Sequence, residues 1–185
     1  MKAADLDAWG LYVHIPFCQA RCTYCDFNTI TGMGNEDYHL YAQAVVKEWQ
    51  TVDQPKGPLA SVFFGGGTPS LMDPEDIAQI LTAVRRQLIG NWPENAPEIT
   101  MEANPGTTTI ARLTAYRSAG VNRLSLGAQA LQDSHLQRLG RIHSAQDIAQ
   151  AVKDARTAGF DNVSLDAIYG LPDQTLTEWQ ETVQG

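Results

Sequence analysis

The chain has 185 residues, 43% of them hydrophobic, and 13 Lys+Arg stand against 21 Asp+Glu for a formal net charge of −8. That is enough for one domain with a buried core. The negative balance argues against a nonspecific nucleic-acid binder, which needs positive charge to displace phosphate counterions, and against an anionic membrane surface.

Asp5 and Asp7 interrupt the N-terminal segment where a secretory signal needs an apolar core, and no later stretch approaches the ~20 apolar residues of a transmembrane helix. The expectation is a cytoplasmic protein. The first strand is read from Leu11 to Pro16, and Cys18-Gln19-Ala20-Arg21-Cys22-Thr23-Tyr24-Cys25 follows it directly. All three cysteines fall in that window, too few and too close to staple a secreted fold, so a metal or cluster site is the better reading.

After a helix and a loop over Val52 to Leu59, a second strand from Ser61 to Phe64 leads into Gly65-Gly66-Gly67-Thr68-Pro69. The helix behind it is signalled by Asp73 as cap, Pro74 at the first position and one apolar stripe at Ile77, Ile80, Leu81, Val84 and Leu88. A loop from Asn91 to Pro97 precedes the third strand, Glu98 to Glu102, which runs into Ala103-Asn104-Pro105-Gly106. The fourth strand, Arg123 to Leu126, leads to Gly127-Ala128-Gln129. The helix after it opens on Ser144 and Asp147, turns Ile148, Ala151, Val152 and Ala155 inward and stops at Gly159. Asn162 to Ile168 is the fifth strand; it carries Asp166 and precedes Tyr169-Gly170-Leu171-Pro172. A last helix begins near Thr175, with Glu178 three residues on.

This alternation is α/β: parallel strands with outer helices, five βα units of a partial TIM-like (β/α) barrel, read as one domain over 1–185. A closed barrel needs eight units and a common open variant six, so the chain reads as an N-terminal fragment with an exposed sheet edge. A repeat supports the barrel step: residues 118–127 recur as 157–166, with Ala, Gly, Ser and Leu identical at matching positions.

In parallel βα sheets ligands bind at the carboxyl ends of the strands, where all the unusual residues fall. Three thiolates spaced x3 then x2 can hold three irons of a [4Fe–4S] cluster and leave the fourth open. The alternative is structural zinc with His14 or His143 as fourth ligand, although such sites usually pair two short knuckles. The glycines let a ligand approach the backbone, and Thr68-Pro69 ends the strand's ladder. Glu102 can accept from ribose hydroxyls or an ammonium, or be an ordinary charge at a sheet edge. Asp166, after an alternating apolar run, is harder to explain that way. No spacing singles out Gln129 or Arg141, which read equally as a loop amide and a solvated helix charge. His14 reads as a satisfied strand histidine as readily as a ligand. His39, His135 and His143 read as surface residues, and neither a Cys-Pro pair nor C-x-x-C-H marks a heme ligand.

CQARCTYC resembles the cysteine loop of the radical S-adenosylmethionine enzymes, and GGGTP resembles their methionine-binding glycine motif. With YVHIPFC, CDF, EANPGT, RLSLGAQ and DAIYGLPDQT, the span from Leu11 to Thr175 is similar to the subgroup of oxygen-independent coproporphyrinogen III oxidases and heme chaperones. The resemblance implies that Cys18, Cys22 and Cys25 ligate the cluster, with the methionyl amine and carboxylate of S-adenosyl-L-methionine on the fourth iron. It implies that Tyr12 and Tyr24 line the cofactor, that Gly66, Gly67 and Thr68 hold its methionyl end, and that Glu102, Gln129, Arg141 and Asp166 bind its polar groups. The implied chemistry is one-electron reduction of the sulfonium, releasing methionine and a 5′-deoxyadenosyl radical.

The oxidases of this subgroup carry a further cysteine two positions after the third, where this chain has Phe27, as the heme chaperones do. The resemblance therefore implies a heme chaperone that binds heme as cargo and hands it to an acceptor such as a respiratory-chain protein. Oxidase activity in porphyrin biosynthesis is the alternative and a zinc module the second. Whether the chain is an enzyme, and whether it forms a homodimer, stay open.

Overall fold

The computed structural model of the chain describes residues 8–53, 55–88 and 92–185. Asp5, Asp7 and parts of the two expected loops, Gln54 and Asn91, lie outside the described residues.

Five parallel strands form the main sheet: β1 (Trp9–Ile15), β4 (Leu59–Gly66), β5 (Glu98–Ala103), β6 (Arg123–Gln129) and β7 (Asn162–Ala167). They lie in the order β1-β4-β5-β6-β7. Strand order follows chain order, so every crossover steps the same way and the helices gather on one face. That is a barrel wall rather than a doubly wound sheet. The expected strands are all found. β4 is longer than its apolar run suggests, because Gly65 and Gly66 complete the strand and pair with His14 and Ile15.

The helix-facing side of the sheet is the core. Val13, Ile15, Val62, Phe64, Ile99, Met101 and Leu124 are buried in one cluster with Ile77, Ile80, Leu81 and Val84 of α2 (Pro74–Gln87) and Leu113 and Tyr116 of α3 (Ile110–Ala119). The stripe of α2 faces inward as its period predicts. Its cap differs: Asp73 stands at the N-cap but makes no capping hydrogen bond, and its carboxylate lies 3.4 Å from Arg112 Nη1 instead. The caps of α5 (Ala145–Thr157) and α6 (Leu176–Gln184) are complete boxes. Ser144 N donates to Asp147 at 2.8 Å, Thr175 N donates to Glu178 at 2.7 Å, and each cap hydroxyl accepts from the backbone N–H three residues on.

Both copies of the repeat end a helix on a left-handed glycine, Gly120 at φ +118° and Gly159 at φ +89°, before entering β6 and β7. Ser125 and Ser164, equivalent in the repeat, pair across those strands with hydroxyls 3.1 Å apart.

Several elements lie outside the periodic pattern. α4 (Asp133–Arg138) has only six residues, β2 (Phe17–Cys18) and β3 (Ile30–Thr31) pair over two residues each, and single 3₁₀ turns span Pro69–Leu71 and Pro105–Thr107. Two of the expected surface histidines are buried: His135 is 4% and His143 5% exposed. His135 packs toward α6 with Nε2 3.5 Å from Glu178, and His143 lies beneath the turn at Gly106. Burial holds the His143 imidazole below its ordinary value, which favours covering it as the neutral ring. His39 remains on the surface of α1 (Asn35–Thr51), paired with Asp76.

Candidate active site at the strand ends

Strand alternation puts the other half of each strand on the opposite face, and apart from the Tyr12–Phe63 pair that half is mostly polar: His14, Thr100, Glu102, Arg123, Ser125, Ser164 and Asp166. At the carboxyl ends the face opens into a cavity of about 290 Å³. Of the twelve residues singled out from the sequence, Cys18, Cys22, Cys25, Tyr24, Gly66, Gly67, Thr68, Glu102, Gln129, Arg141 and Asp166 all line it. Phe27 lines it too. Tyr12 does not: its ring stacks on Phe63 at 6.1 Å and its hydroxyl meets His14 Nδ1 at 3.1 Å, just outside the rim. Period 2 explains the offset, since Tyr12 stands on the cavity-facing side but well below the strand end.

The cysteine loop is held at its base and at its tip. β2 pairs with β3 at the base, while Gly67 N donates to Ile15 O and Thr68 N to Phe17 O, both at 2.7 Å. At the tip Thr23 N donates to Leu139 O at 3.1 Å and its hydroxyl to Arg138 O at 3.2 Å, so the end of α4 carries the loop. All three thiols are free and partly exposed. Burial pushes the Cys18 thiol up, the Thr68 hydroxyl pulls it down, and Cys25 and Cys22 push it up again.

The glycine requirement is steric. Gly66 has φ +113°, and a Cβ there would lie 2.5 Å from the His14 ring; at Gly67 it would lie 2.6 Å from Phe17 O and 3.0 Å from Cys18 Sγ. Gly66 N donates to Glu102 Oε2 at 3.0 Å. Burial raises the Glu102 carboxyl, the Gly66 N–H lowers it and Asp166 raises it. Behind the motif, Arg112 Nη2 donates to the carbonyls of Ser70, Leu71 and Met72 at 2.6–3.2 Å, and the buried Tyr116 hydroxyl donates to Met72 O at 2.7 Å. These two α3 side chains fix the turn that follows Thr68-Pro69.

Gln129 reaches the cavity through an irregular strand end: the β6–β7 register shifts between Gly127 and Gln129, and Gln129 has φ +67°. Asp166 accepts from Ser125 Oγ at 2.9 and 3.1 Å. Arg141 is no solvated charge. Its Nη2 donates to Asn104 Oδ1 at 2.5 Å and to Gly127 O at 2.8 Å, and its Nη1 lies 3.6 Å from Cys22 Sγ and 3.5 Å from Tyr24 Oη. The Tyr24 hydroxyl is pushed up to about 12 by burial, against the pull of Arg141. Sequence reasoning did not single out Asn104 or Ser125. The repeat was the available signal for Ser125, since it aligns two serines on adjacent strands.

Among the described residues no three His, Cys, Asp or Glu side chains are placed to share one metal ion. A single zinc needs its ligands converging on one point, whereas a cluster takes one thiolate per iron around a larger body. His14 is also committed, its ring nitrogens meeting Tyr12 Oη at 3.1 Å and Asn28 O at 3.0 Å, and His143 is buried. The donor set fits a cluster better than zinc, and the Gly66-Gly67 cradle leaves room beside it for a ligand that touches backbone.

A parallel barrel wall with a three-thiol loop and a glycine cradle at one end makes a (β/α) domain with its candidate site at the strand ends, and the chain belongs to the Radical SAM superfamily, whose family model matches residues 12–184. It is 44% identical over 177 residues to the heme chaperone HemW of Haemophilus influenzae, covering 91% of this chain and 45% of that one. It is likewise 44% identical over 178 residues to the mitochondrial radical S-adenosyl methionine domain-containing protein 1 of Bos taurus, covering 95% of this chain and 39% of that one. The chain thus spans less than half the length of these curated relatives. Among solved structures, the coproporphyrinogen III oxidase HemN of Escherichia coli, described as a Radical SAM enzyme, matches with a TM-score of 0.80 at 28% identity, covering 95% of this chain and 40% of that one. Among the described residues no helix is long and apolar enough to cross a membrane.

Proposed function

We propose that residues 1–185 form the radical SAM core of a cytoplasmic heme chaperone, which binds heme and passes it to a heme-accepting protein such as one of the respiratory chain. The observation that carries this reading is the 44% identity to a heme chaperone, against 28% to the coproporphyrinogen III oxidase structure. Phe27 supports it: an apolar ring lines the cavity where the oxidases carry a further cysteine.

In this reading Cys18, Cys22 and Cys25 hold three irons of a [4Fe–4S] cluster, and Gly66, Gly67 and Thr68 hold the methionyl end of S-adenosyl-L-methionine. Glu102, Gln129, Arg141 and Asp166 bind its polar groups, Tyr24 flanks it, and Tyr12 stands at the rim. When bound, the pair supplies one-electron chemistry at low potential. The chain's own contribution is positioning: Gly66 N–H and Ser125 Oγ orient the two carboxylates.

Oxidative decarboxylation of coproporphyrinogen III is the second reading, favoured by the TM-score of 0.80 to that oxidase. The two separate in one experiment on the full-length protein, reconstituted anaerobically and given reductant, S-adenosylmethionine and coproporphyrinogen III. The chaperone reading expects no protoporphyrinogen, together with stoichiometric heme binding in a parallel titration. Protoporphyrinogen formed with cofactor consumed overturns it in favour of the oxidase.

A further inference from the structure

Arg141 and Cys18 both line the cavity, and a continuous run of side chains joins them. Arg141 Nη2 meets Asn104 Oδ1 at 2.5 Å, Asn104 Nδ2 meets Thr68 Oγ1 at 3.1 Å, and Thr68 Oγ1 lies 3.6 Å from Cys18 Sγ. The direction of every hydrogen bond follows from the arginine. A guanidinium only donates, so the Asn104 atom facing it must be the carbonyl oxygen. The amide nitrogen then faces Thr68 and donates, the Thr68 oxygen accepts, and its own hydrogen is left to point at Cys18 Sγ. A flipped amide would set its NH2 against the guanidinium and draw the Thr68 hydrogen toward Asn104 Oδ1, away from Cys18.

The backbone at Asn104 is held as firmly as its side chain. Its N–H donates to Ser70 Oγ at 3.3 Å, and its carbonyl accepts from Thr107 Oγ1 at 2.8 Å. Thr68 is buried, so its hydroxyl is sheltered from competing water. We propose that Asn104 is a positioning residue that aims the Thr68 hydroxyl at Cys18 and thereby raises the reduction potential of a cluster bound there. The inference rests on the cluster reading above. Hydrogen bonds to ligating sulfurs are among the determinants of cluster potential, and donors polarised in series act more strongly than a lone hydroxyl.

The test is a double-mutant cycle on the full-length protein after anaerobic reconstitution, reading iron content and the cluster's midpoint potential without S-adenosylmethionine. In Asn104→Asp both oxygens accept, so the Thr68 hydrogen turns away from Cys18; Thr68→Val removes that hydrogen. Each is expected to shift the potential downward, and Asn104→Asp is expected to shift it less in the Thr68→Val background than alone. Thr68→Ser, which keeps the hydroxyl, is expected to hold the wild-type potential. Equal shifts from Asn104→Asp in both backgrounds would mean that it acts only through its charge, and would overturn the inference. If Asn104→Asp fails to hold a cluster, Thr68→Val decides alone, and an unshifted potential there overturns the chain. A wild-type protein that takes up no iron would sink the cluster reading itself and the inference with it, whereas iron uptake with no coupling sinks the inference alone.

Discussion

The two faces of the one sheet are built from alternate residues of the same strands, yet they do opposite things. On the helix-facing side Val62, Phe64, Ile99, Met101 and Leu124 are fully covered by α2 and α3. On the cavity-facing side Glu102, Ser125, Ser164 and Asp166 keep their polar atoms in directed hydrogen bonds around open space. Stability and site are thus separable at single-residue spacing: a change at an even step should unfold the domain, and its neighbour should leave the fold and remove the ligand.

The largest effect is expected from Phe64→Ala on the covered face. Emptying a fully buried phenylalanine position costs ~3–5 kcal/mol of folding free energy, readable as a lowered midpoint in denaturant. A loss below ~1 kcal/mol would break the comparison. Cys22→Ala on the open side is the converse. It should abolish iron uptake and the brown cluster absorbance after reconstitution while the metal-free protein unfolds within ~0.5 kcal/mol of wild type, since the thiol is free and partly exposed. Retained absorbance would exclude Cys22 as a ligand.

Gly66→Ala lies between the two faces. Its φ of +113° costs a side chain ~1–2 kcal/mol, and the new Cβ must displace the His14 ring, so both stability and cofactor affinity should fall. A variant that lost neither would show that the cradle has slack. The smallest effect is the pH response of His143. Burial, helped by Arg141, holds this imidazole below its ordinary 6.5, so the unfolded chain binds more protons than the folded one between the two values. Stability should therefore fall as pH drops through and below 6.5, and His143→Gln should flatten that part of the curve. An unchanged slope would assign the acid sensitivity to other groups.

The helix-facing side was legible in the sequence because burial writes itself as period: the stripe of α2 and the runs of β4 and β5 are apolar wherever they are covered. The glycines were legible beside the cysteine loop, since three in a row at a strand end could alone have made a tight turn. Gln129 and Arg141 had no such signature. A bulge brings Gln129 inward, and Arg141 enters from the connection after α4, a six-residue helix too short to show a period. His143 was misjudged because composition marks histidine as polar, whereas the neutral ring packs under Gly106. Asn104 was legible only as one residue of the segment that ends the third strand, and its place between Arg141 and Thr68 is visible only in the structure.

The most direct test of the central claim, that the strand ends form a cluster and S-adenosylmethionine site, is the electron paramagnetic resonance spectrum of the reduced, anaerobically reconstituted protein before and after adding S-adenosylmethionine. The account predicts about four irons per chain, as a [4Fe–4S] cluster requires, and a spectrum that changes when the cofactor reaches the iron that carries no cysteine. A protein that binds zinc in preference to iron, or a cluster spectrum unmoved by the cofactor, would contradict it.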